Sequence, residues 1–254
     1  MKTITFNEKF IKALKNTKRV AVLTGAGVSA ESGVPTFRGA DGIWKKYNPM
    51  ELATFEAFNA NPKLVWEWYN YRREIIRNIK PNPGHYALVE MSKIFDDFTL
   101  ITQNVDGLHR LAGSPTVYEL HGNIHRNRCL DCGKFDYTEE FDQLPPICDC
   151  GGRLRPDVVW FGEILPKEVL DKSMASATHA ELFFTIGTSG AVQPAASLPV
   201  IAKQNGALVV EINLEPSEIS YICDIKYYGK SGEILPQIVA KTKELKDLHK
   251  EKGK

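Results

Sequence analysis

An apolar run that leads straight into a glycine turn constrains the fold of this chain more than any other feature. Val20–Leu23 has the composition of a short buried strand, and Gly25 and Gly27 follow it. Glycine lets a backbone turn tightly and approach a ligand closely, and the free N–H groups of such a turn suit a pyrophosphate. The segment therefore predicts a phosphate-binding strand–turn–helix unit. By itself, a Gly-x-Gly-x-x-Ala pattern is a weak dinucleotide signal.

Strand-like runs recur along the chain with helical patterns between them. The runs are apolar throughout instead of alternating, which is typical of parallel strands that are covered on both faces. The alternation predicts an α/β fold built on a doubly wound parallel sheet. The predicted strands span 20–23, 98–102, 117–120, 182–186 and 207–212, and the predicted helices span about 84–95, 166–177, 195–204 and 232–246.

Two segments interrupt this alternation, and we interpret them as insertions that form a smaller module. The first is rich in aromatic residues and helix formers, and the second holds a cysteine cluster with proline and glycine turns. The predicted division assigns 1–41, 81–124 and 156–254 to the large domain, 42–80 to a helical insertion and 125–155 to a zinc-ribbon insertion.

The cysteine cluster has the spacing of a metal site. Cys129 and Cys132 are followed after fifteen residues by Cys148 and Cys150. This gap fits four thiolates around one structural zinc ion, although the second pair is Cys-x-Cys where Cys-x-x-Cys is usual. Four reduced cysteines without a metal remain the alternative.

Polar side chains follow several predicted strands, where ligands bind in open parallel sheets. Gln103, Asn104 and Asp106 could hold ribose hydroxyls or a carboxamide, or could simply cap the next helix. His121 ends the next strand and could act as a general base or have a structural role. Further along the chain, the strand ends carry Gly187, Thr188, Ser189 and Asn213.

Tyr69 and Arg72 lie three residues apart on a predicted helix and therefore share a face. A phenol and a guanidinium directed at one point can bind a carboxylate. From the spacing alone, a surface helix with a solvated arginine is the more economical interpretation.

Composition excludes several classes of protein. The formal net charge of +1 lacks the excess of basic residues that nucleic-acid binders usually carry. No apolar run reaches the roughly 18 residues of a membrane span. The first residues have no signal-peptide core, so we expect a cytoplasmic protein. We also expect a monomer that has no nucleic-acid or membrane partner.

Together these motifs resemble the sirtuins, the family of NAD-dependent protein-lysine deacylases. The resemblance extends over about residues 20–236. It implies a Rossmann-like sheet with a smaller zinc-binding and helical module, NAD as a consumed co-substrate, one structural Zn²⁺ and acylated-lysine proteins or peptides as partners. The matching segments are Gly25–Arg38, Gly42–Trp44, Thr102–Asp106, His121–Gly122, the four clustered cysteines, Val158–Glu163, Gly187–Ser189 and Ile212–Asn213.

The resemblance also implies roles for individual residues. His121 would be the general base on a ribose hydroxyl, and Asn104 would hold the ribose and the reacting water. Asp106 would bind the nicotinamide carboxamide, and Phe37 would shield the anomeric carbon. The implied NAD-binding set is Gly25, Ala26, Gly27, Ser29, Phe37, Arg38, Gln103, Asn104, Asp106, Gly187, Thr188, Ser189, Asn213, Lys230 and Ser231, and Phe161, Gly162 and Glu163 would pair with the substrate backbone.

Within the family, the chain resembles the branch that removes succinyl and malonyl groups. In that branch a tyrosine and an arginine bind the acyl carboxylate and a small alanine leaves room for it. Tyr69, Arg72 and Ala53 match these positions. The resemblance thus implies a combined deacetylase and desuccinylase or demalonylase. A mono-ADP-ribosyltransferase using the same NAD site and a non-catalytic NAD-sensing zinc-ribbon module are the alternatives.

Overall fold

The predicted apolar runs form the strands of a six-stranded parallel sheet in a computed structural model that describes residues 3–37 and 42–252. A second, antiparallel sheet has three strands. The strands are β1 Arg19–Thr24, β2 Asp97–Thr102, β3 Val117–Glu119, β4 Gly122–Cys129, β5 Phe135–Asp136, β6 Leu154–Val158, β7 Leu182–Ile186, β8 Leu208–Asn213 and β9 Ile225–Tyr228.

The helices fill the connections between the strands and the two interrupting segments. They are α1 Glu8–Asn16, α2 Gly27–Ala30, α3 Ile43–Lys46, α4 Pro49–Leu52, α5 Phe55–Ala60, α6 Pro62–Arg77, α7 Pro83–Ile94, α8 Leu108–Leu111, α9 Lys167–His179, α10 Ser197–Gln204 and α11 Ser231–Lys252, with a 3₁₀ turn at Ser220–Ile222.

Strand order reverses next to β1. The parallel sheet runs β3-β2-β1-β7-β8-β9, so the chain builds outward from β1 in one direction and then returns to build from β1 in the other. Loops after neighbouring strands diverge at such a reversal and leave a crevice at the carboxyl ends of the strands. The topology therefore places a ligand crevice between the ends of β1 and β7.

Two apolar cores cover the two faces of the parallel sheet. Successive side chains of β1 alternate between them: Val20 and Val22 belong to one core, and Ala21 and Leu23 belong to the other. This arrangement explains why the strands lack a polar face. The doubly wound parallel sheet that the sequence predicts is thus confirmed.

A third core joins the helices α4–α6 to the antiparallel sheet. Trp66 of α6 donates its indole N–H to the carbonyl of Leu154 on β6 over 3.2 Å. Arg73, also on α6, donates to the carbonyl of Ile124 on β4 over 2.7 Å. Both interrupting segments therefore contribute to one packed unit, while the exact domain boundaries remain a prediction.

All five predicted strands of the parallel sheet are present, and the sheet has a sixth strand, β9, that was not predicted from the sequence. This strand lies at the sheet edge, and only Ile225 of its four residues is buried. Across residues 3–37 and 42–252, no helix has both the length and the apolar character needed to cross a membrane.

Gly187 is predicted to be essential for the fold at the crevice. Its φ is +60°, and a Cβ there would lie 2.5 Å from the nitrogen of Val28. Gly187→Ala should therefore lower the free energy of unfolding by more than ~2 kcal/mol, since backbone strain and overlap add. Gly206→Ala is the matched control, because Gly206 has φ +91° and no atom within 4 Å of an added Cβ. Equal losses in denaturant titrations of the two variants would contradict the steric argument.

Candidate active site

Backbone contacts between two glycine turns form one wall of the crevice. Gly25 N donates to the carbonyl of Ile186 over 2.9 Å, and Gly27 N donates to the carbonyl of Gly187 over 2.8 Å. A Cβ on Gly25 would lie 2.7 Å from the oxygen of Gly187, and one on Gly27 would lie 2.7 Å from its Cα. Glycine is required because the two backbones touch.

A cavity of about 690 Å³ opens beside these turns. Most of the binding and catalytic residues predicted from the sequence line this cavity. The structure thus brings together segments from the whole chain. These residues are Gly25, Ala26, Gly27, Phe37, Ala53, Tyr69, Arg72, Gln103, Asn104, His121, Phe161, Gly162, Glu163, Gly187, Thr188, Ser189 and Asn213.

Four described residues of the predicted NAD-binding set do not line this cavity. Ser29 and Asp106 are buried, with 0% and 5% of their surfaces exposed. Lys230 and Ser231 lie at the start of α11, where Ser231 donates a hydrogen bond to Glu31 over 3.2 Å. Arg38 falls outside the residues that the structure describes.

Hydrogen bonds join three strand ends along the cavity. Gln103, which follows β2, donates its amide to the hydroxyl of Thr188 over 2.9 Å. Asn213, at the end of β8, donates its amide to the carbonyl of Thr188 over 2.9 Å. The loop after β7 is thereby held between the other two strand ends.

A buried hydrogen bond to Ser29 orients the side chain of Asn104. The Asn104 amide donates to the Ser29 hydroxyl over 3.1 Å, and His85 Nε2 lies 3.3 Å from the same oxygen. Burial lowers the pKa of His85 to about 4, so its ring is neutral near pH 7. His85 was not among the site residues predicted from the sequence. Its only local signal is its position at the start of α7, where its ring accepts a hydrogen bond from Asn82 N over 3.2 Å.

Asp106 lies in the same buried layer. Burial raises the pKa of its carboxyl group. Hydrogen bonds from the Leu108 N–H and the Ser29 hydroxyl act in the opposite direction and lower this pKa. The bond from Leu108 N measures 2.9 Å and caps α8. Asp106 therefore accepts from the first residue of α8, although the N-cap position itself is Gly107, and this contact is compatible with a binding role.

The imidazole of His121 has one nitrogen fixed and one available. Nδ1 lies 3.0 Å from the carbonyl oxygen of Gln103, and because a carbonyl only accepts, Nδ1 carries the proton. Nε2 is then the basic nitrogen. Burial lowers the pKa of His121, with the Gln103 bond opposing it, so the neutral ring dominates at neutral pH. These are the properties of a general base.

Arg72 and Tyr69 form a buried polar pair on the cavity wall. Arg72 is 6% exposed and Tyr69 is 1% exposed. Within the described part of the chain, no carboxylate lies within 4.0 Å of the Arg72 guanidinium. Its carbon instead lies 4.9 Å from the ring centroid of Phe37 and 5.8 Å from that of Tyr69. The helix thus presents to the cavity a buried cation that no carboxylate of residues 3–37 and 42–252 pairs with, contrary to a solvated surface arginine.

The segment Phe161–Glu163 forms part of the opposite wall. Phe161 N donates to the carbonyl of Ala53 over 2.9 Å, so the small side chain of Ala53 is held next to this segment. Glu163 accepts hydrogen bonds from the buried Arg155, including one of 2.9 Å from Nη2. The carboxylate of Glu163 therefore shapes the loop and is already paired.

The four clustered cysteines converge despite the short spacing of the second pair. Their sulfur atoms all lie within 4.8 Å of one another, with Cys129–Cys150 at 3.5 Å and Cys132–Cys148 at 3.8 Å. Four thiolates bound tetrahedrally to zinc lie about 3.8 Å apart. The donors and their separations therefore fit a closed structural zinc site.

A glycine turn accommodates the Cys-x-Cys spacing. Gly151 has φ +87°, and Cys148 N donates to the carbonyl of Gly152 over 2.8 Å, which folds the chain back on itself. A Cβ on Gly152 would lie 2.8 Å from the Cys129 sulfur. The two glycines thus let Cys148 and Cys150 reach one centre.

Comparison with known proteins gives consistent matches. Residues 25–194 match the model of the Sir2 family. The NAD-dependent protein deacylase of Aquifex aeolicus is 52% identical over 222 residues, which cover 86% of this chain and 93% of that protein.

Solved structures agree with the sequence comparison. A mutant Sir2 homologue in complex with ADP ribose superposes with a TM-score of 0.91 at 45% identity, covering 96% of this chain and 99% of that one. A Sir2 complex with a p53 peptide and NAD⁺ gives a TM-score of 0.82 at 30% identity, covering 93% and 98%.

Loss of a zinc ligand is predicted to destabilise the third core. Cys132→Ser should lose the single equivalent of bound zinc and unfold at a lower temperature, because zinc binding contributes directly to folding of such modules. Metal content by mass spectrometry and thermal unfolding would test this. Cys223→Ser is the control, since Cys223 lies outside the cluster. Full zinc occupancy in Cys132→Ser would contradict the assignment.

Proposed function

Because this chain belongs to the Sir2 family and is an NAD-dependent protein deacylase, we propose that it removes succinyl and malonyl groups as well as acetyl groups from lysine. The observation that carries this proposal is the buried guanidinium of Arg72 on the cavity wall, which has no carboxylate partner among the residues that the structure describes. A buried charge is unfavourable unless it is paired, so an acyl chain that ends in a carboxylate would bind better than a neutral one.

NAD fits the crevice at the strand reversal. The two glycine turns line the cavity, so a pyrophosphate would lie against their backbone. The N–H groups of Gly25 and Gly27 already donate to Ile186 and Gly187, so these two groups hold the turns together. Bound there, NAD supplies the ADP-ribosyl group that accepts the acyl group, and nicotinamide is released. Ser189 and Asn213 would contact the phosphates and the distal ribose from the other side of the reversal.

Proton transfer would fall to His121. Its Nδ1 proton is held by Gln103, which leaves Nε2 free to take a proton from a ribose hydroxyl. Asn104, held by Ser29, would orient the ribose and the water that completes the reaction. Asp106 would bind the carboxamide, and Phe37 would exclude water from the anomeric carbon.

The substrate peptide would lie along Phe161–Glu163. Pairing through main-chain hydrogen bonds provides affinity with little dependence on sequence. Ala53 and the segment that it contacts would leave room for the acyl chain below the peptide. Cys129, Cys132, Cys148 and Cys150 would hold one zinc ion with a structural role.

The sequence alternatives are less well supported. Relatives that are 51–52% identical to this chain are named deacylases, which favours acyl removal over mono-ADP-ribosyl transfer or NAD sensing. A cytoplasmic, monomeric protein without a nucleic-acid partner remains a prediction, consistent with the formal net charge of +1.

Arg72→Met is predicted to lower succinyl selectivity. A hydrogen bond to a charged group contributes about 1.5–3 kcal/mol, so the ratio of desuccinylation to deacetylation, each measured as kcat/KM, should fall roughly 10- to 100-fold. Arg77→Met, on the same helix and half-exposed, is the control. If both activities of Arg72→Met fall equally, Arg72 does not bind the acyl carboxylate.

Deacylation is predicted to require the neutral form of His121. Burial lowers the pKa of His121 below its ordinary value of 6.5, so kcat/KM should stay constant above pH 6.5 and fall tenfold per pH unit below the shifted pKa. His121→Tyr should lose activity, whereas the exposed His179→Asn should keep the wild-type pH profile. Retained turnover in His121→Tyr would remove it as the base.

A further inference from the structure

Trp160 makes a contact that the proposed reaction does not use. Its indole Nε1 donates a hydrogen bond of 2.9 Å to the phenolic oxygen of Tyr69. Both side chains line the cavity, and they are 2% and 1% exposed. A phenol has one proton and accepts through its oxygen, so a tyrosine that accepts from an indole still has its own proton to donate.

The indole of Trp160 is fixed on several sides. The guanidinium carbon of Arg155 lies 3.4 Å from its ring centroid, and the Phe58 ring centroid lies 5.3 Å away. The backbone N–H of Trp160 donates to the Glu163 carboxylate over 2.8 Å, and Arg155 pairs with that same carboxylate. The indole N–H therefore cannot rotate away from Tyr69 without disrupting this cluster.

The proton of Tyr69 has no acceptor within residues 3–37 and 42–252. Burial raises the pKa of Tyr69 above its ordinary value of 10, so the phenol keeps that proton at neutral pH. The neighbouring guanidinium of Arg72 carries only donors. With the described residues offering no acceptor, the cavity that Tyr69 lines is where a bound molecule would supply one.

We propose that Trp160 is a positioning residue for acyl selectivity: its N–H occupies the acceptor side of Tyr69 and commits the Tyr69 proton to the carboxylate of the acyl chain. This inference rests on the proposed carboxylate receptor of Tyr69 and Arg72. It adds that the donor direction of Tyr69 is set from a different part of the chain, the segment that binds the peptide.

The test is Trp160→Phe, which removes the indole N–H and keeps an aromatic ring. The ratio of desuccinylation to deacetylation, each as kcat/KM, should fall about 3- to 10-fold, within the range of one neutral hydrogen bond. In a Tyr69→Phe background, Trp160→Phe should have no further effect on this ratio.

Trp66→Phe is the matched control. Trp66 is also fully buried and donates its indole N–H to the carbonyl of Leu154 over 3.2 Å, so it loses a comparable bond away from Tyr69. Its selectivity ratio should remain that of the wild type. Thermal unfolding identifies the variants that fold.

Two outcomes would overturn the inference while leaving the carboxylate receptor intact. One is an equal loss on both substrates in Trp160→Phe, and the other is an undiminished fall in the ratio when Tyr69 is already Phe. An unchanged ratio in Arg72→Met would instead show that the receptor itself is wrong, and the inference would fall with it.

A substrate comparison provides the test if Trp160→Phe does not fold. A succinamyl group ends in a neutral amide that can accept from Tyr69, whereas 4-methylpentanoyl has a similar shape and cannot. The wild-type preference for succinamyl should fall about 3- to 10-fold in Tyr69→Phe. An unchanged preference would show that the Tyr69 proton is not donated to the acyl chain and would overturn the inference.

Discussion

The backbone contact between the Gly25–Gly27 turn and Gly187 determines the geometry of the whole site. The hydrogen bond from Gly27 N to the carbonyl of Gly187 closes the strand reversal between β1 and β7. No side chain separates the two turns there, so their positions follow from the register of the sheet. A phosphate bound at this point would lie against two turns whose relative position is set by backbone hydrogen bonds and strand register.

The side chains at the strand ends are connected to this glycine contact by hydrogen bonds. The loop that begins at Gly187 also carries Thr188, which is hydrogen-bonded to Gln103. The backbone carbonyl of Gln103 in turn accepts a hydrogen bond from Nδ1 of His121. The tautomer of the proposed base is therefore linked to the glycine contact through two hydrogen bonds.

The sequence predicted the elements whose signals are local, and it missed those whose signals are not. Apolar runs identified the other five strands of the parallel sheet, including the opposite edge strand β3, because most of their residues are covered by the two cores. The edge strand at Ile225 has no such run, since three of its four residues contact solvent or the rim of the core. Likewise, cysteine spacing located the metal donors, but only the turn at Gly151 shows how the short pair reaches the same centre.

Buried partners were the least predictable part of the site. His85 and Trp160 act on Asn104 and Tyr69 through contacts between segments that are 56 and 91 residues apart in sequence. No periodicity in a single chain encodes such pairs. Spacing alone favoured a solvated Arg72, and only the family resemblance reversed that interpretation. The structure supplies the physical reason, because Tyr69 packs into the third core and the same helix face places Arg72, with 6% of its surface exposed, on the cavity wall.

The electrostatics of Arg72 explain why a carboxylate would be selected there. Burial lowers the pKa of Arg72, while Tyr69 and Asp106 oppose that shift. Contacts with aromatic rings such as Phe37 offset part of the desolvation, at about 0.5–2 kcal/mol for each ring. The desolvation of a buried ion amounts to several kcal/mol, and an aromatic ring is not an acceptor for the guanidinium N–H groups as a carboxylate is. In the proposed function, a carboxylate on the acyl chain would supply that acceptor, whereas an acetyl group would not. A glutamate within the protein that paired with Arg72 would stabilise the fold and, for the same reason, abolish the selectivity.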